Sequence, residues 1–128
     1  GGMQIFLALD LNGRIIDFFY QKISSPEAKM FREKAFTEQF KGLTLADFYH
    51  HDAMRGEACP QALEKLEQGV LGASAPRDDK IAKIKDPSKD SHKDFVNTLR
   101  GVKMNLLLCD RFILGNKYEE TYRKAKGD

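Results

Sequence analysis

The densest set of chemically able side chains in this sequence is Asp47, His50, His51, Asp52 and Arg55. At helical spacing Asp47 and His51 lie one turn apart on one face. A carboxylate and an imidazole placed so can share a metal ion, or act as a base with its orienting acid. The same five residues also read as polar groups at a frayed helix end beside a turn. One other histidine, His92, is present, and no His-x-x-x-His or Glu-x-x-His spacing completes a site. We therefore take Asp47, His50, His51 and Arg55 as candidate ligand contacts, and assign no metal and no catalytic residue.

A second set lies in the run from Arg77 to Asp94, which holds six basic and five acidic residues in eighteen. Arg77, Lys80, Lys83 and Lys85 around Ile81 and Ile84 are candidate contacts to phosphate or to a protein partner. Interleaved Asp78, Asp79, Asp86, Asp90 and Asp94 offset them within the screening length of roughly 8 Å in physiological salt, so a solvated charged loop over 72–94 is the competing expectation. Tyr118, Tyr122 and Arg123 offer stacking surfaces, but packing of a terminal helix uses the same residues. Nucleophilic catalysis finds no motif: there is no Gly-x-Ser-x-Gly, no phosphate-binding loop and no Gly-x-Gly-x-x-Gly. Cys59 and Cys109 stand apart in the sequence and are expected as reduced, space-filling thiols. No cofactor is expected.

The elements that must position these groups begin with a hairpin. Two apolar runs, 3–9 and 15–20, flank Asn12-Gly13, a dipeptide suited to a type I′ turn. Met3, Ile5, Leu7 and Leu9 point one way and Phe6 and Ala8 the other; Ile16, Phe18 and Tyr20 oppose Ile15 and Phe19. Both faces are apolar, so cover is expected on both, from helices, further strands or a second copy of the chain. Ser24-Ser25-Pro26-Glu27 then starts a helix that presents Ala28, Phe31, Ala35, Phe36 and Phe40 and stops at Gly42. A shorter helix from Thr44 to about Met54, capped by Thr44 with Asp47, buries Leu45, Phe48 and Tyr49. A third opens at Pro60, carries Leu63 and Leu66, and ends at Gly69.

Beyond the charged run, Ser91 heads a helix with Phe95, Leu99, Val102 and Leu106 at the i, i+4, i+7, i+11 spacing. It continues to Gly115, or gives way to a buried strand over Met104–Leu108; the short apolar run is compatible with both. An amphipathic piece from Tyr118 to Lys126 ends the chain. The expected fold is α+β: an N-terminal hairpin packed against a layer of four to five helices, as one domain over 3–128.

Bulk properties agree with a folded, water-facing chain. Hydrophobic residues make up 41%, with nine Phe, and charged residues 31%. Residues 1–64 carry 7 basic and 9 acidic side chains and residues 65–128 carry 14 and 10, too mixed for a nucleic-acid-binding face. No apolar run reaches the roughly 18 to 20 residues of a membrane span. Gly1-Gly2 reads as an expression scar, and a start at Met3 without a leader favours the cytoplasm.

Asp10-Leu-Asn-Gly-Arg-Ile-Ile-Asp17 resembles the opening hairpin of a PAS sensor domain, and Lys41-Gly-Leu-Thr-Leu-Ala-Asp-Phe-Tyr-His-His-Asp52 resembles the helical stretch leading into a PAS core. The resemblance covers about residues 3–70. It implies three long closing strands in the second half and a small-molecule pocket lined by core aromatics. The helical period over 91–109 departs from that pattern.

Three functions are thus in view. The first is a small non-enzymatic binding or interaction protein, of inhibitor or adaptor type, that self-associates through the hairpin or the long helix. The second is a PAS-like small-ligand sensor. The third is a metal-dependent or acid/base enzyme built on Asp47, His50 and His51. A homo-oligomer is expected, with a protein partner or small ligand, and neither nucleic acid nor membrane.

Overall fold

The computed structural model describes residues 2–54 and 79–120 of the chain, which form an α+β fold. Strands β1 (Met3–Leu9) and β2 (Ile15–Ile23) pair antiparallel as the expected hairpin. Its turn is not type I′. The Gly13 N–H donates to the Asp10 carbonyl at 3.1 Å and the Asp10 N–H to the Arg14 carbonyl at 2.9 Å. Within the turn only Gly13 has a positive φ, +80°. This is the longer hairpin loop that ends in a left-handed glycine, and its twist also suits the flanking strands. The Asp10 carboxylate fixes it by accepting the Asn12 and Arg14 N–H groups, each at 2.9 Å.

The strand faces also differ from the simple alternation. Ala8 pairs with Asp17 and Leu9 with Ile15, so Ile16 is an extra residue on β2. A bulge shifts everything before it by one residue and so exchanges faces. Ile15, not Ile16, joins Phe18 and Tyr20 in the core, and Ile16 joins Phe19 outside.

The expected helix over 24–42 is broken into α1 (Ala28–Phe31), α2 (Lys34–Thr37) and a 3-10 turn, Glu38–Phe40. The break is at Glu33, whose ψ of 142° is extended. In a straight helix Phe31 and Phe36 would diverge by about 140°. The break lets Phe31, Phe36 and Phe40 all reach the core, while Ala35, expected inside, is exposed. Their rings run in a chain: Tyr20–Phe31 at 6.3 Å, Phe31–Phe36 at 5.6 Å, Phe36–Phe40 at 5.3 Å and Phe40–Phe18 at 4.6 Å. No Ser24–Glu27 capping box forms. Ser25 Oγ accepts the Glu27 N–H at 3.2 Å, and the Glu27 carboxylate instead accepts the N–H groups of Lys89 and Asp90, each at 3.0 Å, just before the last long helix.

Helix α3 (Leu45–Met54) follows Thr44 as expected, and buries Leu45, Phe48 and Tyr49. Helix α4 (His92–Phe112) spans 21 residues, with Phe95, Val102 and Leu106 buried and Leu99 half-buried. Met104–Leu108 is therefore helix, not strand, and Met104 and Leu108 face outward. Among the described residues the closing strands implied by the PAS resemblance are absent. Helix α4 stands in their place.

Helix α4 lies against the inner face of the hairpin. Tyr20 Oη and Thr98 Oγ1 are 2.9 Å apart in the core, and Thr98 Oγ1 donates to the Asp94 carbonyl at 2.8 Å. A second lock sits at the hairpin tip. The Tyr118 hydroxyl donates to the Asn12 carbonyl at 2.6 Å, and the buried Asp110 carboxylate accepts the N–H groups of Tyr118 and Glu119 at 2.9 and 3.0 Å. Residues 117–120 are helical, the start of the piece expected from Tyr118. The helix expected from Pro60 to Gly69, Cys59, Tyr122 and Arg123 lie outside the described residues. Among those described, no helix is long and apolar enough to cross a membrane.

Candidate functional site

Helix α3 carries the histidine–aspartate cluster, and its start decides what Asp47 does. Asp47 is the third helical residue after Thr44, where a carboxylate can reach back to cap the helix. Its Oδ2 accepts the Thr44 N–H at 2.8 Å, and the Asp47 N–H donates to the Thr44 carbonyl at 3.0 Å. Burial pushes the Asp47 carboxyl above its usual range, against the opposing pull of the Thr44 N–H and the charges of Lys80 and His50. Asp47 thus caps a helix and is not directed at His51.

His51 takes its carboxylate from elsewhere. Its Nδ1 lies 2.9 Å from Asp79 Oδ2 and 3.0 Å from Oδ1. An ionised carboxylate only accepts, so His51 Nδ1 is the donor in this pair. Asp79 Oδ1 also accepts the Ala82 N–H at 3.0 Å. Partial burial raises the Asp79 carboxyl, but the Ala82 N–H and His51 outweigh it and hold the group below its usual range. His50 is buried beside this pair, and Asp52 leaves it, bonding Lys103 of α4 at 2.6 Å. Arg55 and Arg77 lie outside the described residues.

A histidine oriented by an aspartate is the geometry of a general base. Among the described residues no group of three His, Cys, Asp or Glu side chains is placed to hold a metal. Cys109, half-buried on α4, is a free thiol whose pKa is raised by burial and by Asp110. A groove of about 780 Å³ between β1 and α4 is lined by Gln4, Ile5, Asp94, Asn97, Gly101 and Asn105, and none of the described candidate residues lines it.

The charged run is sorted in space as it is not in sequence. Asp86 accepts the Ser88 N–H and hydroxyl at 2.9 and 2.6 Å and faces His92 Nδ1 at 3.0 Å. Lys80 and Lys83 instead meet Lys41, which precedes α3, around a cleft of about 390 Å³. Lys85 is not part of its lining. Its N–H donates to Gln39 Oε1 at 3.0 Å and so ties the two walls together.

Sequence reasoning missed Asp79 as the partner of His51, Lys103 as the partner of Asp52, and Lys41 as the third lysine. None carries a local signal, because each partner arrives from a distant segment. Compared with known protein families, with curated proteins and with solved structures, the chain matches none.

Proposed function

We propose that this is a small non-enzymatic binding protein, of adaptor or inhibitor type, that self-associates through the outer face of its hairpin. The observation that supports it is a pair of stacked aromatics in water. The rings of Phe6 and Phe19 lie 4.7 Å apart, 26° from parallel, with the two residues 41% and 43% exposed. Ile16, turned outward by the bulge, extends this face. Strand β1, Met-Gln-Ile-Phe-Leu-Ala-Leu, carries no charge and no proline, the usual devices that discourage pairing at a sheet edge. A stable assembly needs roughly 1,000 Å² of total buried surface, and large aromatics supply it efficiently. Sedimentation velocity across a concentration series tests this. A dimer or larger species that reverts to monomer in Phe6→Ser/Phe19→Ser is expected; a wild-type protein monomeric at all concentrations rejects the assembly.

The His51–Asp79 pair favours a second reading, acid–base chemistry at the end of α3. Its test is a hydrolase substrate screen of the wild type beside Asp79→Asn. A turnover lost in the variant with unchanged circular dichroism would displace the first reading.

A further inference from the structure

We infer that two copies of this chain pair edge to edge, through the side of β1 away from β2 and through Asn97, Gly101 and Asn105 of α4, about a two-fold axis beside Ile5 and Gly101. The inference rests on reading the protein as self-associating, and it states how the two copies meet.

The first component is the strand. Among the described residues the sheet has two strands, so β1 meets β2 on one edge and borders the 780 Å³ groove on the other. In an antiparallel pair alternate residues turn their N–H and C=O groups away from the partner strand, and these groups take a further strand or water. Met3, Gln4 and Ile5 line the groove, so an incoming strand finds main-chain groups there. The segment β1 itself, uncharged and without proline, is a strand that can fill that place.

The second component is the helix. Helix α4 runs beside β1 in the same direction. Thr98 Oγ1 lies 3.5 Å from Met3 Sδ, and a Cβ on Gly101 would lie 3.5 Å from Ile5 Cδ1. Asn97, Gly101 and Asn105 recur at i, i+4 and i+8, and so line the groove from one face of α4. Each asparagine is about 6 Å along the helix from Gly101, on opposite sides of it. A two-fold axis at Gly101 therefore lays Asn97 of one copy on Asn105 of the other, twice. Their chemistry is complementary. Asn105 Nδ2 donates to the Gly101 carbonyl at 2.8 Å, which leaves Asn105 Oδ1 to accept from Asn97 of the second copy. Met104 and Leu108, on the same face and 55% and 44% exposed, add apolar area beside these bonds.

Gly101 separates an interface from a face that is merely wet. A glycine in a helix interior weakens the helix, and its own neighbours do not require it. The contact that a Cβ would make with Ile5 is an ordinary one, so a single copy has room for alanine. A second backbone coming close does call for glycine. The two-fold axis brings one by setting Gly101 opposite Gly101.

The same axis suits the strand. With Ile5 opposite Ile5, Met3 pairs with Leu7 of the second copy and Gln4 with Phe6, which makes one sheet of four strands. Such a contact is isologous and closed, and it adds main-chain hydrogen bonds to the helix contact. On the outer face the two Phe6 rings become diagonal neighbours and join the two Phe6–Phe19 stacks.

Disulfide trapping and sedimentation of the full chain test the arrangement. Asn97→Cys and Asn105→Cys are made separately in a Cys59→Ser/Cys109→Ser background, then oxidised alone and mixed. The mixture should form linked dimers at least about tenfold faster than either alone, because like positions stand about 12 Å apart, beyond the reach of a disulfide. In sedimentation velocity Gly101→Glu, which meets its own charge at the axis, should weaken the dimer about tenfold or more with unchanged circular dichroism. A wild-type dimer that Gly101→Glu leaves intact, or a mixture that links no faster than its components, overturns this arrangement and leaves self-association standing. A wild-type protein that is monomeric at every concentration overturns the inference and the self-association reading together.

Discussion

Phe18 and Phe19 are neighbours in one strand with the same side chain and opposite surroundings. Phe18 faces inward, 2% exposed, between Tyr20 at 5.1 Å and Phe40 at 4.6 Å. Phe19 faces outward, 43% exposed, with Phe6 as its ring partner. The inner face of the hairpin is covered by the broken helical segment and α4; the outer face keeps its aromatics in water. The same residue type thus works for the fold on one side and stands in water on the other. Apolar character alone does not distinguish them; position relative to the Ile16 bulge does.

The largest expected effect falls on the inner face. Phe18→Ala should cost about 3–5 kcal/mol in urea unfolding, because it opens a cavity inside a ring cluster, while Phe19→Ala should cost less than about 1 kcal/mol. Comparable losses at the two positions would erase the contrast.

Next comes the turn that sets both faces. Gly13→Ala should cost about 1–3 kcal/mol in the same measurement. The added Cβ would sit 2.8 Å from Leu114 Cδ1 and hold a left-handed φ of +80°. A neutral Gly13→Ala would mean that the tip is looser than its hydrogen bonds indicate.

Smaller effects belong to the polar cluster and depend on pH. The native Asp47 carboxyl is raised, so above its ordinary value of 3.8 the native state holds a proton that the unfolded chain has released. Stability therefore falls as pH rises from that value to the native one, and is constant beyond. Asp47→Asn, which keeps an acceptor for the Thr44 N–H, should flatten this fall. Asp79 is lowered, so its contribution is present above 3.8 and disappears as pH drops through the native value. Asp79→Asn should remove that acid-side loss and cost about 0.5–1.5 kcal/mol at neutral pH. Chemical denaturation at several pH values between about 3 and 8 reads both signs, and identical profiles in the two variants would contradict the assignment.

The legible parts of the molecule were those coded locally. The Asn12-Gly13 hairpin, the apolar character of both its faces, the Thr44–Asp47 cap and the start of α4 after Ser91 all follow from residues within a few positions of one another. The Ile16 bulge was not legible, because an extra residue in a strand shows only against its partner, here Ala8 and Leu9. The break at Glu33 was hidden for a related reason. The helical period over Ala28–Phe40 is real, but burying three phenylalanines in one core outweighs continuity of the helix. In the candidate site the sequence brought Asp47, His50 and His51 together on α3, yet it could not bring Asp79 to His51 or Lys41 to Lys80. The His51–Asp79 contact and the shared cleft of Lys41 and Lys80 are made by tertiary packing of segments about 28 and 39 residues apart.

The most direct measurement on the binding-protein proposal is native mass spectrometry of the wild type beside Phe6→Ser/Phe19→Ser, with circular dichroism to show that both are folded. A wild-type dimer or higher assembly without added small-molecule mass, and a folded monomer in the variant, is the expected result. A wild-type monomer, or an assembly that survives loss of both rings, would contradict the outer hairpin face as the interface.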